Sequence, residues 1–233
     1  MQPEPSQQPQ HTQPQHASIV YRGIDYVVVD KPAGLFVHKT KLDATQDDLL
    51  TQLAPLFGQR LHAVHRLDRS VSGLLLLAFD SAATKRLQSA LQDALAVKEY
   101  VALVRGRCAA EFSCDEPLRG SDGKPREART DFSCLRRFPW CSLVKVRIHT
   151  GRRHQIRRHC DRVQHHILGD TTHGKSRLNA FYRERYGLDR CFLHARRLTL
   201  PSEGLDLRLR MPASLAGIVV ALEADARAAA CEP

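Results

Sequence analysis

The chain has 233 residues, 42% of them hydrophobic, with 35 Lys and Arg against 25 Asp and Glu for a formal net charge of +10. No apolar run is long enough to cross a bilayer and no apolar segment follows the N-terminus, so neither a membrane span nor a secretory signal is expected. The seven cysteines are odd in number and form no Cys-x-x-Cys pair, which argues for reduced thiols in a cytoplasm over a disulfide framework or zinc ribbon. A basic balance of this size points to a polyanionic partner, most often nucleic acid, although a generically basic soluble protein shares it.

Residues 1–17 are rich in Gln, Pro and His with almost no large apolar side chain, so a disordered tail is expected. Order is expected from Ile19 onward. Residues 24–30 are largely β-branched or aromatic and predict a strand. Lys31-Pro32-Ala33-Gly34 turns the chain, and Leu35-Phe36-Val37-His38 is expected to continue the strand. Leu49, Leu50, Leu53, Leu56 and Phe57 fall at helical spacing within 47–57, with acidic residues in the first turn and Pro55 expected to shorten or kink the helix.

Leu74-Leu75-Leu76-Leu77-Ala78-Phe79, bounded by Gly73 and Asp80, reads as a buried strand. Asp80 or Ser81 can cap a helix reaching about Leu95, with Leu87, Leu91 and Leu95 on one face. Residues 97–104 predict another strand, 106–125 loop and short strands, and 128–135 with 142–149 a strand pair. In the last of these Val144, Val146 and Ile148 point one way and Lys145, Arg147 and His149 the other. That basic face suits a phosphate backbone or is simply a solvated sheet face.

After Thr150-Gly151, residues 152–163 predict a helix with a narrow stripe of Ile156, Cys160 and Val163. His154, Arg158 and Arg162 share one face, and Arg153 and Arg157 the next. No alternating opposite charge relieves them, so an external anion is the expected partner. Residues 167–170 form a strand-to-turn segment. In 176–190, Phe181, Tyr182 and Tyr186 interleave with Arg177, Arg183, Arg185 and Arg190, which suits either base stacking or a helix packed by its aromatics. Residues 193–200 and 205–211 predict strands, and 213–226 a closing helix. No repeat or linker interrupts the chain, so one domain is expected over 18–228, with a tail at 229–233. Strands with irregularly inserted helices favour an α+β class.

The chemistry available is narrow. There is no Gly-rich phosphate loop, no His-Glu-x-x-His and no Gly-x-Ser-x-Gly. The histidines between 154 and 173 match no metal template, and their Arg neighbours repel a cation. One carboxylate stands out: Asp68, between Arg66 and Arg69, just before the leucine run. By itself it is better explained by a surface ion pair than by catalysis. A rigid strand behind it is nevertheless how a working carboxylate is mounted. A glycosidase needs two flanking carboxylates, and the local sequence offers one.

His65-Arg66-Leu67-Asp68-Arg69-x-x-Ser72-Gly73-Leu74-Leu75 resembles the catalytic motif of the RluA-type pseudouridine synthases. Asp30-Lys31-Pro32-x-Gly34, Lys98-x-Tyr100 and Thr150-Gly151-Arg152-x-His154-Gln155-Ile156-Arg157-x-His159 resemble that family's other motifs. Ile167-Leu168-Gly169-Asp170-x-x-His173-Gly174 and Leu193-His194-Ala195 follow in the family's order, so the resemblance covers about residues 19–215. Val71 stands where the family usually has Thr.

Three details resemble a branch acting on a uridine of the transfer-RNA acceptor stem. They are a short N-terminus with no S4 domain, Val37-His38 followed by Leu42-Asp43, and Arg157-Arg158-His159. The resemblance implies an α+β pseudouridine synthase fold, with a mixed, mostly antiparallel sheet, flanking helices and a central RNA-binding cleft. It implies Asp68 as catalytic carboxylate, Arg157 as its ion-pair partner and Tyr100 stacked on the uracil. Ile156 would be the opposite wall, and Arg66 would fill the space left by a flipped base. Arg152, Arg153, His154 and Arg158 would bind RNA. No cofactor, a tRNA partner and a monomer are implied. A ribosomal RNA enzyme of the same chemistry and a catalytically idle RNA-binding protein are the competing expectations.

Overall fold

The computed structural model describes residues 17–38 and 48–231. Most of the Gln/Pro-rich segment, Asp47 and Leu42-Asp43 lie outside the described residues.

The chain begins with strands β1 (Ser18–Arg22) and β2 (Tyr26–Lys31), then helix α1 (Leu49–Phe57). β3 (His62–Ala63) and β4 (Ser72–Ala78) precede α2 (Ser81–Ala90) and β5 (Val97–Arg105). β6 (Glu111–Cys114), β7 (Leu118–Arg119) and β8 (Pro125–Arg126) lead to the long pair β9 (Thr130–Arg137) and β10 (Cys141–Ile148). α3 (Gln155–Arg162), α4 (Ser176–Tyr186), β11 (Leu193–Leu200), β12 (Leu205–Arg208) and α5 (Ala213–Cys231) complete it.

The main sheet runs β1-β2-β4-β11-β5-β10-β9-β6, with β12 beside β11 and β3 beside β4. Its pairs are antiparallel except β4 with β11. The parallel pair approaches closely at Gly73, whose φ is +115° and where any Cβ would collide with the Ala195 backbone. Only glycine fits there. The fold is therefore α+β with a mixed, mostly antiparallel sheet.

β4 is the centre of the core because both of its faces are covered. Leu75 and Leu77 pack with Leu49 and Leu53 of α1. Leu74 and Leu76 pack with Ala83 and Leu87 of α2. All four leucines are essentially inaccessible, each worth about 1.5–3 kcal/mol of burial. A third cluster joins Val101 and Leu103 to Tyr182 of α4 and to Leu215, Ile218 and Leu222 of α5.

Several expectations change in the fold. Leu35–His38 is loop, because Pro32 and Gly34 redirect the chain. α2 stops at Ala90, and Leu95 is 68% exposed, so the leucine spacing outran the helix. α1 starts after Asp48, whose carboxylate accepts from Thr51 N, and it accommodates Pro55. α5 runs to Cys231, past the expected end at 226.

Lys145, Arg147 and His149 lie on the sheet face opposite Tyr100, since Val146 is Tyr100's cross-strand neighbour. Arg147 sits between Glu99 and Asp131, and His149 Nε2 lies 2.6 Å from Asp131 Oδ2. Carboxylates of neighbouring strands occupy this face, so it is an ordinary charged sheet face and not a phosphate track. Cys108, Cys114, Cys134, Cys141, Cys160 and Cys191 are free thiols. Among the described residues no helix is long and apolar enough to cross a membrane.

Candidate active site

Asp68 sits in the loop between β3 and β4. That loop is fastened to the Lys31–Phe36 turn from several points. Gly34 N donates to Arg69 O at 2.7 Å, and Arg69 Nε donates back to Gly34 O at 2.9 Å. The Arg69 guanidinium lies over the Phe36 ring, 5.1 Å from its centroid. Lys31 Nζ, fully buried, donates to Pro32 O at 2.7 Å and Leu35 O at 2.8 Å. Burial first, and the Arg190 charge second, lower the Lys31 ammonium to about 7, against the pull of Asp68 and Asp30. Arg69 is thus a structural residue, and Arg66 beside it is exposed at the cleft mouth.

Across the cleft, α3 begins one turn later than the sequence predicts. Arg152, Arg153 and His154 belong to the entering turn, and His154 takes the left-handed conformation at φ 53°. Gln155 holds this turn: its Oε1 accepts from Thr150 Oγ1 and Arg152 N, and its Nε2 donates to Arg129 O. Ile156 and Cys160 are buried, and so is Arg157, only 5% exposed.

The Arg157 guanidinium joins two acids. Its Nη1 donates to Asp68 Oδ2 at 2.9 Å. Its Nε and Nη2 donate to the two oxygens of Asp170, each at 2.7 Å. Asp170 is 1% exposed, and Oδ1 also accepts from the backbone N–H groups of Thr172 and His173. Burial works to raise its carboxyl, but the Arg157 bonds and charge and those two N–H groups override it and hold it below the usual range. Asn179 secures the turn by accepting from Gly169 N and donating to Asp170 O. Gly169 has φ +77°, and a Cβ there would collide with Arg190 O.

His154 Nε2 stands 3.7 Å from Asp68 Oδ1, and its Nδ1 is 3.1 Å from His173 Nε2. Burial lowers the His154 imidazole, only partly offset by Asp68, so it is neutral near pH 7. Arg190 points its Nη2 at Ser72 Oγ, 2.7 Å away, and Ser72 Oγ in turn pairs with His194 Nδ1 at 2.9 Å.

The outer members of this network open onto a cleft of about 520 Å³, large enough for a nucleotide. Arg66, Asp68, Arg153, His154 and Arg157 are on its wall, with Phe36, Thr172, Arg190 and Cys191. Tyr100 and Ile156 do not line it but lie in the core cluster with Leu67, directly behind the Asp68 loop. Burial first and the Asp68 charge second push the Tyr100 hydroxyl well up, so it stays protonated. Arg152 and Arg158 are turned away from the cleft: Arg152 Nε donates to Glu127 O and Arg158 Nη1 to Arg119 O. The expected uncompensated cationic helix is also revised, since Arg157 has two acids and Arg162 pairs with Glu116 at 2.7 Å.

Sequence reasoning placed Asp170 and His173 in a motif without giving either a role, and read Arg190 only as one of the cations interleaved with the aromatics of 176–190. The available signal for Asp170 was chemical: a buried guanidinium shared with a working carboxylate needs a second acceptor, and Asp170 is the acid next along the chain from α3 and its end.

A family profile described as RNA pseudouridylate synthase matches residues 25–162. A protein of Pasteurella multocida named tRNA pseudouridine synthase C is 36% identical over 203 residues, 77% of this chain and 84% of its own length. Its namesake from Haemophilus influenzae is 34% identical over 200 residues, 76% and 84% of the two chains. The solved structure of human RNA Pseudouridylate Synthase Domain Containing 4 superposes with a TM-score of 0.73 at 25% identity, covering 88% of this chain and 93% of that one. Human RNA Pseudouridylate Synthase Domain Containing 1 gives 0.67 at 27% identity, covering 84% and 83%. With its motifs gathered around one cleft and these likenesses along most of its length, the chain belongs to the RNA pseudouridylate synthase family, of RluA type, and is a pseudouridine synthase, an isomerase.

Proposed function

We propose that the chain isomerises a uridine in the acceptor stem of a transfer RNA, with Asp68 as the catalytic carboxylate. The observation that carries this is the ion pair of Asp68 with Arg157, at 2.9 Å on the wall of a cleft that also presents Arg66 and Arg153. The names of the relatives from Pasteurella multocida and Haemophilus influenzae support transfer RNA as the substrate.

The reaction breaks C1′–N1, forms C1′–C5, takes a proton from C5 and gives one to N1, so no atom is gained or lost. Asp68 must be ionised to attack C1′ or to accept the C2′ proton on the way to a glycal. Arg157 favours that charged form and fixes its direction. Asp170 keeps Arg157 in place while Asp68 reacts. The target base leaves the stem at a cost of about a few kcal/mol. Arg66, with an exposed planar guanidinium, takes the vacated position in the stack. Tyr100 and Ile156 back the Asp68 loop from the core, and exclusion of water favours rejoining over hydrolysis. Arg153 and His154 hold the RNA beside the cleft. The enzyme works as a monomer in the cytoplasm, without a cofactor.

Pseudouridine mapping of transfer and ribosomal RNA from wild-type and deletion cells tests the substrate. Loss of one acceptor-stem pseudouridine is the expected result. An unchanged transfer-RNA map with a lost ribosomal site overturns it.

A further inference from the structure

A second concave site lies outside the cleft, where the end of β5 meets α4. Leu178 and Phe181 floor it, and Arg105, Lys175 and Arg177 rim it. Its volume is about 530 Å³, of the same order as the cleft. Phe181 is 51% exposed, although the neighbouring Tyr182 is only 2% exposed. The Phe181 ring is held edge-on by Tyr182 at 5.4 Å and by Tyr186 at 6.3 Å, with interplanar angles of 84° and 75°. Two edge contacts fix the ring and leave it presented to solvent. The three cations are exposed, and none has an ion-pair partner among the described residues. By contrast Arg185, on the same helix, is taken up by Asp225 at 3.1 Å.

The site lies at the end of the sheet where the catalytic cleft opens, on the face of Val101 and Leu103, opposite that of Tyr100. The loop after α3 puts Thr171 and Thr172 on the cleft wall and ends at Lys175, the residue preceding α4. The strand directions place the two sites at one end of the sheet: β4 is parallel to β11 and β5 antiparallel to it. The start of β4, which follows Asp68, and the end of β5, which is Arg105, therefore leave the sheet at the same end, two strands apart.

We infer that this groove binds a second nucleotide of the RNA substrate, outside the uridine being isomerised, with its base on Phe181 and its phosphates between Arg105, Lys175 and Arg177. A fixed aromatic face with unpaired cations around it is the equipment for one unpaired nucleotide, because every base has a stacking face and every linkage a negative charge. A protein partner would need acidic groups to meet three cations and would gain little from one half-exposed ring. The inference rests on the proposed transfer-RNA substrate.

The test compares steady-state turnover of an unmodified transfer-RNA transcript by the full chain and by Phe181→Ala, Phe181→Tyr and Arg177→Glu. Phe181→Ala raises KM about fivefold or more with kcat held, from the loss of one stacked base. Phe181→Tyr keeps the wild-type KM. Arg177→Glu raises KM and lowers the salt dependence of binding by about one charge. Unchanged KM in Phe181→Ala overturns the groove, whether or not Arg177→Glu weakens binding, because diffuse charge alone then explains the patch. A wild type inert on transfer RNA is a failure of the substrate reading instead. The same comparison is then made on the RNA identified by pseudouridine mapping, where the groove stands or falls by the same change in KM.

Discussion

Asp170, not Asp68, takes the two-point grip of Arg157: both of its oxygens accept at 2.7 Å, while Asp68 receives a single bond at 2.9 Å. The arginine is therefore anchored from behind and offers its remaining nitrogen to the acid in the cleft. Asp68 is 15% exposed at its side chain and Asp170 1%, so the cleft acid is the one that substrate can reach.

Removing the rear anchor strips the buried Arg157 of its two-point partner and leaves it the single bond to Asp68. Asp170→Asn should cost about 3–5 kcal/mol of stability, the usual result of breaking a buried pair from one side. Urea unfolding at pH 7 measures it. Because the Asp170 carboxyl is held below its unfolded value, its contribution is present above that value and is lost as pH falls through the lower, folded one. Wild type should therefore lose stability below about pH 4 more steeply than the variant.

Arg157 and Arg153 separate catalysis from binding. Arg157→Ala should lower kcat by about a hundredfold or more, since it both directs and charges the carboxylate. Arg153 is exposed on the cleft wall with no ion-pair partner among the described residues. Arg153→Ala should raise KM and reduce the salt slope of RNA binding by about one, leaving kcat within a small factor. Kinetics at two salt concentrations distinguish the pair, and identical effects would contradict the division of labour.

His194 is fully buried and accepts or shares a proton with Ser72 Oγ behind the cleft. Burial first, and the Arg190 charge second, lower its imidazole to about 4. The unfolded chain thus binds this proton below about pH 6.5 while the folded one refuses it until near pH 4, so stability falls on acidification across that window. By pH 5 the loss should be about 2 kcal/mol. His194→Gln should be less stable at pH 7 and flatter between pH 7 and 5. Parallel curves for the two proteins would remove His194 as the cause.

The leucine run was legible because a strand covered on both faces needs apolar residues at every position, and residues 74–77 supply them. The paired strands β9 and β10 were legible, the second of them from its alternation. The partners of charged residues were not. Lys145, Arg147 and His149 looked like a phosphate track because Glu99 and Asp131 lie on other strands, and strand order is not a local property. The helix after Gly151 looked uncompensated for the same reason, with Asp170 and Glu116 arriving from elsewhere. Leu95 misled because helical spacing of apolar residues continued after the chain had left α2. The pairing of Arg157 with Asp68 came from family resemblance, since nothing local joins residues 89 positions apart.

The most direct measurement is hydrogen loss from C5 in a transfer-RNA transcript labelled with tritium at that carbon, with wild type and Asp68→Asn compared at saturating RNA. Asp68→Asn keeps the shape and removes the charge, and Arg157 retains Asp170 as its anchor. The variant should bind the transcript within about twofold of wild type, since a single neutralised carboxylate adds no phosphate contact. It should release no tritium above the background without enzyme. Tritium release by Asp68→Asn at the wild-type rate would contradict the assignment of Asp68 as the catalytic carboxylate.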